Sequence, residues 1–273
     1  MAFVSSGPTL TATAVQRQPA PEPTVQLQIE NRVARVTLNR PPLNILDIAM
    51  MRELDAMLKH AIPQSDFLVF QGAGPKGFSA GAEIADHQPR RVGQMLKAFH
   101  AIFRRLAAAD CLTIAAVHGF CLGGGMELAT FCDFLIATGS AQFGQPEIKL
   151  GCFPPVAMLT LPELIGMRAA TDLILTGRQF GAPEAQLLGL VARVVPDDKL
   201  DEATAELLKD LLGLSPAILR LTRRALWRTH AADFSKRLAA MERLYLTKLV
   251  KMSDAQEGIR AFLEKRAPSW LGR

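Results

Sequence analysis

Two glutamates stand out for their settings: Glu127 follows the run Leu122-Gly123-Gly124-Gly125-Met126, and Glu147 closes the stretch Gln142-Phe143-Gly144-Gln145-Pro146. A carboxylate pair around one water supplies a general base and a general acid, because mutual repulsion and partial burial separate the two proton affinities. The titration then belongs to the pair. Spacing alone leaves a second reading open, in which both glutamates face solvent from amphipathic surfaces. Two glycine-rich loops add a complementary chemistry, Phe78-Ser79-Ala80-Gly81-Ala82-Glu83 and the triple-glycine run before Glu127. Glycines let a ligand approach the backbone, and a helix N-terminus presents unpaired N–H groups and a positive dipole end. Two such groups on one oxygen form an oxyanion hole. The alternative is that the glycines only turn the chain. Neither of these two loops spells Gly-x-x-x-x-Gly-Lys-Ser/Thr or Gly-x-Gly-x-x-Gly, so neither reads as a nucleotide cradle.

These loops need a scaffold. Val25, Leu27 and Ile29 alternate, and a second β-rich run, Val33 to Leu38, follows Asn31-Arg32, which predicts a hairpin. Apolar residues at helical spacing predict a helix over 47–62 capped by Asp47, then a strand at Phe67 to Phe70. A helix from about Arg90 to Ala109 comes next, with Met95, Leu96, Phe99, Ile102, Phe103 and Leu106 on one face. Strands at Thr113 to Val117 and Phe134 to Ala137 flank a helix starting near Gly124. Strand, loop and helix recur, which argues for an α/β core. After Pro154-Pro155 the pattern turns mainly helical, with one further strand at 190–195 and helix starts at Pro183-Glu184 and at Ser215-Pro216, with Ser215 as cap. The expected division is a tail over 1–23, a catalytic core over 24–195 and a C-terminal helical region over 196–273.

Composition narrows the function classes. With 49% hydrophobic and 21% charged residues the chain suits an ordinary globular protein, and a net charge of +5 favours anionic partners without requiring nucleic acid. Cys111, Cys121, Cys132 and Cys152 form no Cys-x-x-Cys pair, so reduced, mostly buried thiols are expected and no metal site. The longest uncharged stretch, Cys111 to Met126, is too short to cross a bilayer. The Ser-, Thr-, Pro- and Gln-rich first 23 residues read as a disordered tail, with an organelle transit peptide as the alternative. The expected location is cytoplasmic.

Taken in order, Phe78 to Ile84, Ala115-Ala116-Val117-His118-Gly119, Leu122 to Ala129, Cys132-Asp133, Phe143 to Glu147, Leu175-Thr176-Gly177, Ala185 to Val191 and Glu257 to Arg266 closely resemble the crotonase (enoyl-CoA hydratase/isomerase) family. The resemblance spans about residues 25 to 268. It implies a spiral of ββα repeats with a C-terminal helical region that packs in trimers, commonly paired into hexamers. It implies an acyl thioester of coenzyme A as substrate, with no separate cofactor and no metal. Ala82 and Gly124 match the family's thioester-binding amides. Ala80, Glu83 and Ile84 match coenzyme A contacts, and Phe262 and Lys265 match positions that reach a neighbouring subunit's cofactor. Glu127 and Glu147 match both acid/base positions of the hydratases, which implies syn addition of water with Glu127 activating the water and Glu147 exchanging the α-proton.

One segment departs from the hydratase pattern. Gly151-Cys152-Phe153-Pro154-Pro155-Val156-Ala157 carries Pro155 where the family has a glycine N–H near the water, and proline has none. Asp86-His87-Gln88-Pro89, Met95-Leu96 and Phe99-His100 are similar to the branch that hydrates cyclohexa-1,5-diene-1-carbonyl-CoA. His87 and His100 read as loop and helix-surface residues, and His118 as a satisfied core histidine. An isomerase on the same scaffold would need only one carboxylate. RNA binding would need a basic stripe, for which Arg220, Arg223, Arg224, Arg228 and Trp227 are the candidate, and they read as a solvated helix face.

Overall fold

The protein is described from a computed structural model covering residues 23–272, without the side chains of residues 228–232. The expectation of a disordered tail therefore lies outside the described residues, Pro23 excepted.

The hairpin forms as its alternation predicts. Strands β1 (Val25–Glu30) and β2 (Val33–Leu38) pair antiparallel through Asn31 and Arg32, both at positive φ. Helix α1 (Ile48–Ala61) starts at Asp47, whose side chain accepts from the Met50 N–H at 2.8 Å. Next come β3 (Phe67–Gly72), the short β4 (Gly77–Ser79) and α2 (Val92–Ala107). The motif repeats as β5 (Leu112–Val117), β6 (Phe120–Leu122) and α3 (Gly124–Thr130). It recurs as β7 (Phe134–Thr138), β8 (Gln142–Gly144) and α4 (Ala157–Thr176), a helix broken at Gly166. The chain then runs through β9 (Gln179–Gly181), α5 (Ala182–Leu187) and β10 (Arg193–Val195). It closes with α6 (Leu200–Leu212), α7 (Pro216–Thr247) and α8 (Ser253–Leu263). Ser215 occupies the N-cap position of α7, but its side chain makes no capping hydrogen bond.

From β3 to β8 each long strand thus hands over to a short one before its helix. The long strands and the three-residue β10 form one sheet, in the order β1-β2-β3-β5-β7-β10, parallel from β2 onward. The other three-residue strands form a second sheet, β4-β6-β8-β9. This is the spiral of ββα repeats. The second sheet escapes a reading by periodicity because three residues are too few to show alternation; those segments read as glycine loops.

Strand alternation sends Leu68 and Phe70 of β3 to the main core with α1 and α2, while Phe67 and Val69 face outward. That outer face is not bare. Ala203, Leu207, Leu208 and Leu211 of α6 cover it together with Val33, Ile114 and Ile136. Each large aliphatic side chain fully buried in this way contributes about 1.5–3 kcal/mol. An aromatic chain then ties the helices together, with Phe99 against Phe103 at 4.9 Å, Phe103 against Phe131 at 5.2 Å, and Phe131 against Phe234 of α7 at 5.1 Å. Among the described residues no helix is long and apolar enough to cross a membrane.

Candidate active site

Parallel pairing of β4 with β6 makes the two glycine loops leave the second sheet side by side. Their contact is closer than side chains would allow. A Cβ at Gly125 would lie 2.5 Å from the Ser79 carbonyl oxygen, and one at Gly124 would lie 2.9 Å from the Phe99 ring and 3.5 Å from the Ala82 nitrogen. The N–H groups of Ala82 and Gly124 donate to no protein acceptor among the described residues. Two free amides in one small region can take up the negative charge that develops on a carbonyl oxygen. The loops are braced from behind. Asn44, fully buried, donates from Nδ2 to the Gly77 carbonyl at 2.9 Å, and Ser79 Oγ donates to the Asn44 carbonyl at 2.7 Å.

Beside these amides lie the two glutamates. Glu127, in the first turn of α3, is only 2% exposed, and its Oε1 accepts from the N–H groups of Val156 and Ala157 at 2.9 and 2.8 Å. Burial pushes its carboxyl up to about 7 against the opposing pull of those two donors. Glu147 is held on a turn after β8, where its carbonyl accepts from the Cys152 N–H at 3.0 Å. Its carboxylate sits over Gly123, so close that a Cβ there would lie 2.7 Å from Oε1, and Gly123 also needs its positive φ of 51°. Burial, then repulsion from Glu127, raises Glu147 well above the ordinary carboxylate range. With its amide nitrogen turned towards Glu147, the fully buried Gln145 donates to both carboxylate oxygens at 3.1 and 3.2 Å. The arrangement keeps a proton on the pair, with Glu127, which accepts from two backbone N–H groups, the better-stabilised anion and Glu147 the group that holds the proton.

The remaining expected residues divide. Ala80, Glu83 and Ile84 flank the first loop and are partly exposed, and Glu83 accepts from the Ala85 N–H at 3.4 Å. Phe262 and Lys265 lie exposed at the C-terminal end of α8, outside the cluster around the glutamates. His100 is not a surface residue: it is fully buried, and its Nδ1 meets Glu242 of α7 at 2.7 Å, because α7 covers the helix face that carries it. His118 is satisfied by the Gly74 carbonyl at 2.8 Å, but it is half-buried rather than in the core. The basic cluster of α7 is not simply a solvated face either. Arg223 is buried and binds Asp133 at 2.7 Å, Arg220 binds Asp66 at 2.5 Å, and Trp227 donates to Asp133 at 2.6 Å. The Arg228 side chain lies outside the described residues.

Three contributors were not legible in advance. Gln145 sits two residues before Glu147, a spacing that could have marked it; Phe99 and Asn44 carry no local signal, since only tertiary packing brings them to the loops.

The sequence matches the family described as Enoyl-CoA hydratase/isomerase over residues 28–273. It is 35% identical over 251 residues to a cyclohexa-1,5-dienecarbonyl-CoA hydratase of Thauera aromatica, covering 91% of this chain and 96% of that protein. It is 40% identical over 256 residues to a probable enoyl-CoA hydratase of Mycobacterium bovis, covering 92% of this chain and 98% of that one. The crystal structure of a carnitinyl-CoA hydratase from Mycobacterium avium superposes with a TM-score of 0.82 at 31% identity, covering 92% of this chain and all of that one. With two glycine loops and a largely enclosed carboxylate pair set on a matching ββα spiral, this chain belongs to the enoyl-CoA hydratase/isomerase, or crotonase, family.

Proposed function

We propose that the protein adds water across the conjugated double bond of a 2-enoyl thioester of coenzyme A, with Glu127 and Glu147 as base and acid. The thioester oxygen rests on the Ala82 and Gly124 amides, which stabilise the enolate formed when the β-carbon is attacked. Glu127, as the anion, takes a proton from water while the oxygen bonds to the β-carbon; Glu147, protonated, delivers its proton to the α-carbon. Both act from one side, so addition is syn, and solvent exchange restores the starting protonation. This chemistry uses acid, base and amide groups alone, so no cofactor beyond the coenzyme A of the substrate is called for. Ala80, Glu83 and Ile84 would contact that coenzyme A, with Phe262 and Lys265 reaching it from a neighbouring subunit of a trimer or hexamer. Exposed Leu164, Ile218, Leu221 and Leu226 suit such an assembly.

The carrying observation is the pair itself: a buried Glu127 and a half-buried Glu147, both with raised proton affinity, the first fed by two backbone donors, beside two amides that are free among the described residues. A double-bond isomerase needs one shuttling carboxylate and no added oxygen. A specialised hydratase for cyclohexa-1,5-diene-1-carbonyl-CoA is the second reading, favoured by the Pro154-Pro155 turn and by the similarity to the Thauera aromatica protein. RNA binding loses its candidate surface, because Arg220 and Arg223 are engaged internally. Mass-spectrometric turnover of crotonyl-CoA and the cyclic dienoyl-CoA in parallel, in labelled water, separates these. Gain of labelled oxygen on crotonyl-CoA gives the general hydratase, gain on the diene alone gives the specialised one, and no gain on either rejects hydration of both substrates.

A further inference from the structure

Around the carboxylate pair several backbone donors of the Pro154-Pro155 turn are already committed. Val156 and Ala157 give their N–H groups to Glu127 Oε1, Cys152 gives its own to the Glu147 carbonyl, and Pro154 and Pro155 have none. A water that gives one proton to Glu127 and one lone pair to the substrate still presents a second lone pair, which a hydrogen-bond donor can take up. Tyr245, the only tyrosine of the chain, is 2% exposed near the end of α7, and its buried hydroxyl meets no nitrogen or oxygen partner among the described residues. Its neighbour is the Cys152 thiol, a weak partner that is itself directed to the Leu150 carbonyl at 3.7 Å. The ring packs edge-on against Phe153 at 5.0 Å. Phe153 begins the turn that delivers Val156 and Ala157 to Glu127, so the phenol is anchored to the element that holds the base. Burial, then Cys152, then the charges of Glu147 and Glu127 raise the proton affinity of the phenol well above its ordinary value, so it stays a donor.

We infer that the Tyr245 hydroxyl is a third catalytic group, donating a hydrogen bond to the oxygen that is being added to the substrate. The inference rests on the hydratase reading. It explains how a turn built from two prolines can serve a reaction that needs its water held, and it gives a use to a buried hydroxyl that meets no other nitrogen or oxygen among the described residues.

The test is Tyr245→Phe, which removes one oxygen and keeps the ring on Phe153. Two rates are compared with wild type: hydration of the enoyl thioester that the wild type accepts, and exchange of the α-protons of butyryl-CoA with deuterated water, followed by NMR. Exchange uses the amides and a carboxylate but adds no oxygen. Loss of one neutral hydrogen bond lowers hydration kcat by about tenfold, with KM and α-proton exchange unchanged and the thermal midpoint not lowered. Equal hydration by Tyr245→Phe and wild type, or a parallel fall in hydration and exchange, overturns the assignment. If the wild type exchanges α-protons but hydrates no enoyl thioester, the hydratase reading falls first and takes this role with it.

Discussion

Two largely enclosed carboxylate centres in this molecule are built in opposite ways. Asp133, after α3, is surrounded by compensation: Arg223 Nε at 2.7 Å, the Thr113 N–H and hydroxyl at 2.7 and 2.9 Å, and the Trp227 indole at 2.6 Å. Among the described residues Glu127 and Glu147 have no cation; they have backbone amides, a glutamine amide and each other. The first centre is satisfied as an anion and ties α7 to the sheet. The second leaves its charge under-compensated, so the pair holds a proton that an ordinary carboxylate would release. Burial alone does not make a site; what matters is whether the surroundings finish neutralising the group or leave the task to a proton.

The largest effect should come from the reactive centre. Glu127→Gln and Glu147→Gln keep volume and hydrogen-bonding capacity but remove the proton transfer, so kcat for hydration should fall about 10²–10⁴-fold for each, with an unchanged circular dichroism spectrum. A fall of less than threefold in either variant would show that its carboxylate is no more reactive than Asp133. The opposite perturbation is Arg223→Met, which leaves Asp133 buried without its cation. Chemical denaturation should register a loss of about 3–5 kcal/mol, while turnover per folded molecule stays near wild type. If turnover collapses and stability does not, the two centres are not separable in the way described.

Smaller effects refine the contrast. Gly123→Ala places a methyl at positive φ and against Glu147 Oε1, so hydration should drop by roughly tenfold or more through displacement of the acid. Its readout is kcat against KM, with kcat carrying the loss. The smallest effect is in the pH dependence of stability. Glu127 moves from an ordinary 4.5 to about 7 on folding, so between these values the folded protein retains a proton that the unfolded chain has released. Its contribution is therefore full below about 4.5 and is lost as pH rises through about 7. Denaturant titrations at the two ends of this window should differ by on the order of 2 kcal/mol from this group, and Glu127→Gln should flatten the difference. Glu147, also raised, leaves a residual slope of the same sign; a slope undiminished by the substitution would assign the proton to another group.

Much of the scaffold could be read before any coordinates, because it rests on local rules. Asp47 caps α1 as its position before an apolar-periodic run requires, and the hairpin turns at Asn31-Arg32. Helix α2 buries Met95, Leu96, Phe99, Ile102, Phe103 and Leu106 along the face its spacing defines. His100 shows where such reading stops. It lies beside that stripe, and only the arrival of α7 from more than a hundred residues away makes its position interior. Arg223 is misjudged for the same reason, since a long charged side chain on a helix gives no sign of whether water or an aspartate awaits it.

The sequence by itself determined that this chain carries two glycine loops followed by acidic residues, on an alternating strand-and-helix frame, in the order that marks its family. Residue type, spacing and backbone freedom are local properties, and they survive without a fold. The tertiary structure alone decided that Gly124 lies against Ala82, that the amides of Val156 and Ala157 are spent on Glu127, and that the Tyr245 hydroxyl is buried without a nitrogen or oxygen partner among the described residues. These depend on which groups meet across long sequence separations and on how far water is excluded from them. Proton affinity and hydrogen-bond satisfaction are properties of an environment, and the environment exists only once the chain has closed on itself.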